Sequence, residues 1–251
     1  MSDFDDEIER FSTSRNGQFK DDIIYRLVPY LAKKQFDVTE VEVRTLIKLI
    51  GALFRNACDK SGLEAKPLIT KFRDAGRRSA PWKPTSSRVP GRPQDGVDGN
   101  RILRWKLPDD HKFYANEITA TFVEIKYILQ TLSMSNAPDI SSFGLETIFT
   151  PWLLENELIP GRYLDPVQLI PIDFYGFLND PRSVQSGHIF PLDRGGVHHP
   201  ENTFLMLSRS NQIQGDLTVN ELMELMQTIV KRHKIAQDEN LPLELLIRKK
   251  C

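Results

Sequence analysis

Between Ile189 and Asp216 the chain carries Pro191, Gly195, Gly196, Pro200 and Gly215, breakers that leave room only for short elements. Val184 to Phe190 has strand-like spacing around His188 and is stopped by Pro191. Asp193 to Pro200, with its glycine pair, reads as loop. Thr203 to Leu207 is a short apolar run that suits a second strand. Ser208 can cap a short helix through Gln214, and Gly215 can end it in the left-handed conformation. The expected order is strand, loop, strand, short helix.

On that layout Asn211 falls in the first helical turn and can face back toward the hairpin that carries His188. A hairpin histidine opposite a helix asparagine is a small metal-and-base site. A neutral imidazole can take a proton from water. An asparagine carbonyl is a hard oxygen ligand suited to Mg²⁺, which tolerates one or two protein ligands and keeps its waters. Asn202 stands just before the second strand, where its amide can tie the loop together through backbone hydrogen bonds.

The run His188-x13-Asn202-x8-Asn211, with Pro191 and Gly195-Gly196 between, resembles the HNH endonuclease motif, the ββα-metal finger. The resemblance covers about 35 residues of the 251. It implies that His188 is the general base, Asn202 the loop-bracing residue and Asn211 a metal ligand. The implied cofactor is Mg²⁺ (or Mn²⁺), the implied partner is DNA, and the implied reaction is phosphodiester hydrolysis by one metal and one base. A 5′-phosphate and a 3′-hydroxyl would result. Two departures from the family pattern stand out. Most members carry Asp or His just before the base, as a second ligand, and this chain has Gly187, similar to nonspecific nucleases of the wider group in which one asparagine is the only protein ligand. Either Asn211 suffices with waters, or Asp193, His199 or Asp216 fills in. The second departure is the missing cysteine pairs that hold structural zinc in many relatives. Only Cys58 and Cys251 are present, so no structural zinc is expected and the bracing has to come from packing. The helix after Thr218-x-x-Glu221 offers Leu222, Leu225, Met226, Ile229 and Val230 on one face for that purpose.

Upstream, three helices are expected. One carries Ile24, Leu27, Val28 and Leu31; a second opens with the capping-box pattern Thr39-x-x-Glu42 and continues through Leu46, Ile47, Ile50, Leu53 and Phe54, with Gly62 as its stop. A third carries Ile118, Phe122, Ile125, Leu129 and Leu132 along one face. Residues 1–20 are polar and expected to be frayed or loosely docked. Residues 137–182, rich in proline, suggest irregular connections and short strands.

The formal net charge of −1 conceals an uneven distribution. The first ten residues hold one base and five acids, a net of −4, whereas residues 66–106 hold eleven bases and three acids, a net of +8. That stretch contains Pro81, Pro84, Pro90 and Pro93 and reads as a loop or linker, with Trp82 and Trp105 among its bases. It is either a nucleic-acid contact or a solvated loop anchored by its tryptophans. With the finger present, Arg77, Arg78, Arg88 and Arg92 are expected to contact phosphates. Arg194 and Arg209 flank the finger and either hold the scissile phosphate or stand in solvent.

The chain is thus expected to be α+β: a mainly helical region over 1–135 with a role in DNA binding or specificity, and a nuclease module over 136–251. The module's ββα-metal (HNH) finger spans 183–216 and is backed by a helix over 218–234. No window approaches the roughly 18 consecutive apolar residues of a membrane span, so a soluble, cytoplasmic protein with no membrane partner is expected. A restriction-type or phage-defence endonuclease is the leading reading. Its rivals are a DNA-binding protein with a degenerate finger and an RNA-directed nuclease; a homodimer is left open. Neutralising Arg77, Arg78, Arg88 and Arg92 together should weaken DNA binding and flatten its salt dependence, and an unchanged salt slope would mark the stretch as a linker.

Overall fold

The computed structural model describes residues 3–13, 21–79 and 101–238. Trp82, Arg88, Arg92 and the apolar run 241–247 lie outside the described residues. The architecture is mostly helical with two small two-stranded antiparallel sheets, an α+β arrangement.

The acidic N-terminus forms helix α1 (Asp3–Thr13), contrary to the expectation of a loose segment. Phe4, Ile8 and Phe11 recur at helical spacing among the acids, and this stripe docks the helix: Ile8 is buried and the Phe4 ring stacks on Tyr30 at 4.7 Å. Helix α2 (Asp21–Lys33) buries Ile24, Leu27, Val28 and Leu31 as its spacing requires. Helix α3 (Glu40–Lys60) begins with a complete capping box. Thr39 Oγ1 accepts from the Glu42 amide at 3.2 Å, and Glu42 Oε2 accepts from the Thr39 amide at 2.8 Å.

The stretch 66–106, read from the sequence as loop, is ordered in its described parts. Lys66–Gly76 is helix α4, started by a proline in its first turn and held by buried Leu68 and Phe72. Strand β1 (Arg78–Ser79) pairs with β2 (Ile102–Leu103). The prolines that signalled a loop all lie between these strands, and their density masked the helical stripe before them. Helix α5 (Glu117–Leu132) also departs from expectation. Instead of one buried stripe it is buried almost all round, including Thr121, Glu124, Gln130 and Thr131. It is the central helix: α3, α4 and the later strand Thr203–Leu207 all pack against it. At Gly76 the α4 backbone comes so close that a Cβ there would stand 2.7 Å from Glu124 Cβ and 2.8 Å from its Cα.

Residues 137–182 are mainly turns, with one short helix, α6 (Phe174–Asn179). Strand β3 (Val184–His188) then pairs with β4 (Thr203–Leu207), Val184 opposite Leu207 and His188 opposite Thr203. Helix α7 (Ser208–Gln214) follows, then the long α8 (Val219–Asp238). Strand β3 ends two residues before the expected Phe190. Helix α7 has no side-chain cap, because the cap position falls on Leu207 and the serine expected there is the first residue inside the helix, where its hydroxyl accepts from Gln185 Nε2 at 3.1 Å. One buried cluster runs from Ile8 through Phe122 and Phe174 to Leu205, and a smaller one holds Val167, Phe204, Met206 and Leu222.

The packing expected from α8 is mostly absent: of its apolar stripe only Leu222 is buried, while Leu225, Met226, Ile229 and Val230 are exposed. The hairpin and α7 are tied instead by Asp165, whose carboxylate is fully buried. Oδ1 accepts from the amides of Val167 (3.0 Å) and Gln168 (2.7 Å) and from the Ser210 hydroxyl (2.7 Å), while Oδ2 accepts from the Leu207 amide (2.7 Å). One side chain thereby joins a turn, the end of β4 and the first turn of α7. Replacing Asp165 with Ala would strand several buried donors, and a loss of about 3 kcal/mol or more is expected in urea denaturation. A loss below about 1 kcal/mol would mean that the brace lies elsewhere.

Candidate functional site

The β3–β4 hairpin has two covered faces. Alternation along β3 turns Val184, Ser186 and His188 toward α5, and Ser186 Oγ meets the hydroxyl of buried Tyr127 there. Gln185 and Gly187 turn the other way, toward α7 and the smaller apolar cluster. A Cβ at Gly187 would stand 2.3 Å from Met206 Sδ and 2.7 Å from Phe204 Cε2. The position before His188 is therefore glycine because β4 fills the space beside it.

His188 is partly exposed, and its Nε2 lies 3.3 Å from Nδ1 of His198. His198 is buried, and its own Nε2 lies 2.8 Å from the Gly76 carbonyl oxygen. A carbonyl can only accept, so His198 carries its proton on Nε2 and offers the Nδ1 lone pair to His188. His188 is then the Nε2–H tautomer, with its free lone pair on Nδ1. Burial, reinforced by the nearby Arg104 guanidinium, brings His188 down to about 4 and holds His198 well below the usual histidine range. Both rings are neutral at pH 7. Arg104 is itself buried, and its donors go to the carbonyls of Gly76 (2.9 Å), Phe113 (3.1 Å) and Ala75 (3.2 Å). It caps the C-terminus of α4, and burial lowers it to about 10, so it stays charged.

Asn202 closes the loop between the strands. Its Oδ1 accepts from the Phe190 amide at 2.7 Å, and its Nδ2 donates to the carbonyls of Phe190 (3.0 Å) and Val197 (2.8 Å). Asn211 reaches the hairpin from α7, but at Gln185: its Nδ2 donates to Gln185 Oε1 at 2.7 Å. His188 and Asn211 thus address opposite faces of β3, a relation that spacing in the sequence did not reveal. Gln214, one turn on, donates from Nε2 to the His188 carbonyl at 2.8 Å and fixes that strand end to α7. With Asn211 Nδ2 engaged, its Oδ1 is the oxygen left to meet a cation, with Gln185 beside it. These neutral donors suit a hard cation that keeps most of its water shell. Gly187 adds no donor, and among the described residues no three of His, Cys, Asp and Glu come together as a metal cage.

The other sequence-selected residues disperse. Asp193 is exposed and pairs with Lys112. His199 packs its ring 5.1 Å from that of Phe36 and accepts from the Glu201 amide, capping a 3₁₀ turn. Asp216 is exposed, and its backbone carbonyl accepts from Arg194 at 3.4 Å. Arg194 itself forms a two-pronged pair with Glu221, which is held down to about 2, first by that hydrogen bond. Arg77 pairs with buried Glu124, and Arg78 lies 3.5 Å from Asp74, so both have protein partners. Arg209 is exposed on α7. Sequence reasoning passed over His198, Gln185, Gln214 and Asp165. His198 looked like its neighbour His199, and only the approach of α4 separates them.

No family model and no curated protein matches the chain. Among solved structures, it is similar to a crystal structure of a type II restriction endonuclease, with a TM-score of 0.40 and 20% identity over 49% of this chain and 55% of that one. The chain therefore matches about half the length of that structure.

Two measurements check the histidine pair. Imidazole ¹⁵N shifts at pH 7 should show His188 protonated on Nε2 and bare on Nδ1, and His198→Phe should mix the tautomers. Both histidines are depressed in the folded state while the unfolded chain protonates them near 6.5. Below that pH the unfolded state binds more protons, so stability should fall as pH drops from about 6.5 toward 4, and less steeply in His198→Phe. A stability curve flat across that window would contradict the buried neutral pair.

Proposed function

We propose that this chain is a metal-dependent endonuclease of the HNH kind that hydrolyses phosphodiester bonds in DNA. The observation that supports it best is His188: a neutral histidine of one tautomer, at a strand end, within the strand–loop–strand–helix order that the motif requires. Its Nδ1 lone pair takes the proton of a water molecule as that water's oxygen attacks phosphorus. The Nε2–H of His188 stays donated to Nδ1 of His198, which keeps the His188 ring from turning. Asn202 holds the loop that returns the chain to β4, and Gln214 holds the His188 backbone. Asn211 Oδ1 would hold Mg²⁺ or Mn²⁺, oriented by the hydrogen bond to Gln185. When bound, the ion supplies charge stabilisation for the crowded phosphorus and the departing 3′ oxygen. Arg209, exposed two residues before Asn211, would neutralise a phosphate. Arg77 and Arg78 are engaged within the protein, so Arg88 and Arg92 are the better candidates for DNA contact between β1 and β2. A restriction or phage-defence role is the setting we favour for such an enzyme.

A second reading, a DNA-binding protein that does not cut, is favoured by the turning of His188 and Asn211 to opposite faces of β3. Incubation of the protein with plasmid in Mg²⁺ or Mn²⁺ separates the two. Wild type should nick, and His188→Ala and Asn211→Ala should each lose about a hundredfold or more in rate. Because the base works only when neutral, activity should persist down to about pH 5 and fall as pH drops through about 4, whereas an unperturbed histidine would fail near 6.5. No nicking in either metal, or equal cutting by the variants, would sink the catalytic reading. RNA substrates run in parallel decide the nucleic acid.

A further inference from the structure

A cavity of about 440 Å³ opens beside the hairpin, between α5, the turns of 153–169 and strand β4. That is a usual size for a small-molecule site. On the α5 side it is lined by Lys126 and Gln130, one turn apart on the same face. Gln130 is only 4% exposed, and its Oε1 accepts from the Leu205 amide at 3.0 Å. That bond fixes which way the side-chain amide is turned and leaves its NH₂ for the cavity, where Nε2 has no partner among the described residues. A buried amide donor left unpaired costs stability unless a ligand accepts from it. Lys126 Nζ donates to the Pro200 carbonyl at 2.6 Å and has two further N–H groups to give. Leu153, Phe204 and Val219 supply apolar lining, and Leu164 and Leu169, which also line the cavity, are left 41% and 70% exposed. Apolar walls around a few convergent polar groups are what a ligand site needs.

The charges of the lining select the ligand. Lys126 and Arg162 stand against three carboxylates, Glu155, Glu157 and Glu201, a net of −1 that disfavours an anion. Glu201 already lies 3.8 Å from His199, whereas Glu155 is exposed and has no partner among the described residues. Burial brings Lys126 down to about 8, and the Glu155 carboxylate is the charge that most opposes that shift, so it stands near the ammonium. The cavity therefore suits an uncharged ring with acceptors along one edge and N–H donors along the next. Guanine has that order, since N7 and O6 accept and the adjoining N1–H and N2–H₂ donate. We propose that this cavity binds a guanine base, with N7 and O6 toward Gln130 Nε2 and Lys126 Nζ, and with N1–H and N2–H₂ toward Glu155. Adenine would set its own N6–H₂ donor against the Lys126 ammonium. The base comes either from a free nucleoside or from a guanine swung out of a strand, and the recognition chemistry is the same for both.

Calorimetric titration of the full-length chain with guanosine, inosine, 7-deazaguanosine and adenosine tests this. Guanosine should bind. Inosine, which lacks the N2 amino group, should bind about tenfold more weakly, and adenosine at least as weakly as inosine. The 7-deaza compound, which lacks the acceptor for Gln130, should lose about fivefold. Glu155→Gln changes an exposed side chain, so circular dichroism and Tm should not move, yet guanosine should weaken about tenfold and lose its advantage over inosine. A single-stranded oligothymidylate carrying one guanine, run beside the all-thymine strand, separates the two sources. Binding of guanosine itself marks a free nucleoside, and a guanine preference seen only in the strand marks a base presented by nucleic acid. The proposal fails if guanosine binds no better than adenosine and the guanine strand no better than the all-thymine strand. It fails equally if Glu155→Gln leaves the preference for guanine over hypoxanthine unchanged in whichever form binds. None of these readouts depends on cleavage, so the result stands apart from the endonuclease reading.

Discussion

The carbonyl of Gly76 is the point on which the candidate site depends. Two buried donors converge there, Arg104 Nε and His198 Nε2, at the C-terminus of α4 where carbonyls are left without helical partners. That terminus is fixed in turn by the crossing of α4 over α5, which only a residue without a side chain allows. A methyl group at this crossing would push α4 off α5, and with it the acceptor that orients His198. The tautomer of His188 is thus decided more than a hundred residues away in the chain. The low basicity of both histidines has the same origin, because the packing that brings the rings together also shuts out water and brings Arg104 close.

The hairpin is supported by polar contacts from the segments around it. Asp165 gathers four hydrogen bonds from a turn, a strand end and a helix start, and Gln168 adds a bond to the Ser210 hydroxyl at 2.8 Å. On the other side, Gln130 of α5 accepts from the Leu205 amide at 3.0 Å, and Lys126 donates to the Pro200 carbonyl at 2.6 Å. Burial lowers Lys126 to about 8, a sign of how closely α5 and the loop approach. With the hairpin supported this way, α8 contributes only Leu222 to its packing, and the rest of the apolar stripe of α8 takes no part in the bracing.

Much of the fold was legible because periodicity and capping act locally. The capping box at Thr39, the stripe of α2 and the strand–loop–strand–helix order of 184–214 follow from neighbours a few residues apart. The errors arose where composition hid periodicity: acids over the Phe4–Ile8–Phe11 stripe, and prolines after the stripe of α4. Helix α5 was read as one-faced because its buried polar residues, Thr121, Glu124 and Gln130, look like a solvent face until their partners are known. Asn202 could be singled out because its partners are its own loop's backbone. His198 could not, because its partner comes from α4.

The sequence by itself determined which elements form and which residue types are gathered near the hairpin, since spacing fixes what one strand or helix presents. Tertiary structure alone decided how those residues face. It set His188 toward α4 and α5 and Asn211 toward Gln185, filled the space beside Gly187 with Met206 and Phe204, engaged Arg77, Arg78 and Arg194 with carboxylates, and left α8 exposed. The physical reason is that a side chain's chemistry depends on which partners and how much water surround it, and distant segments supply both.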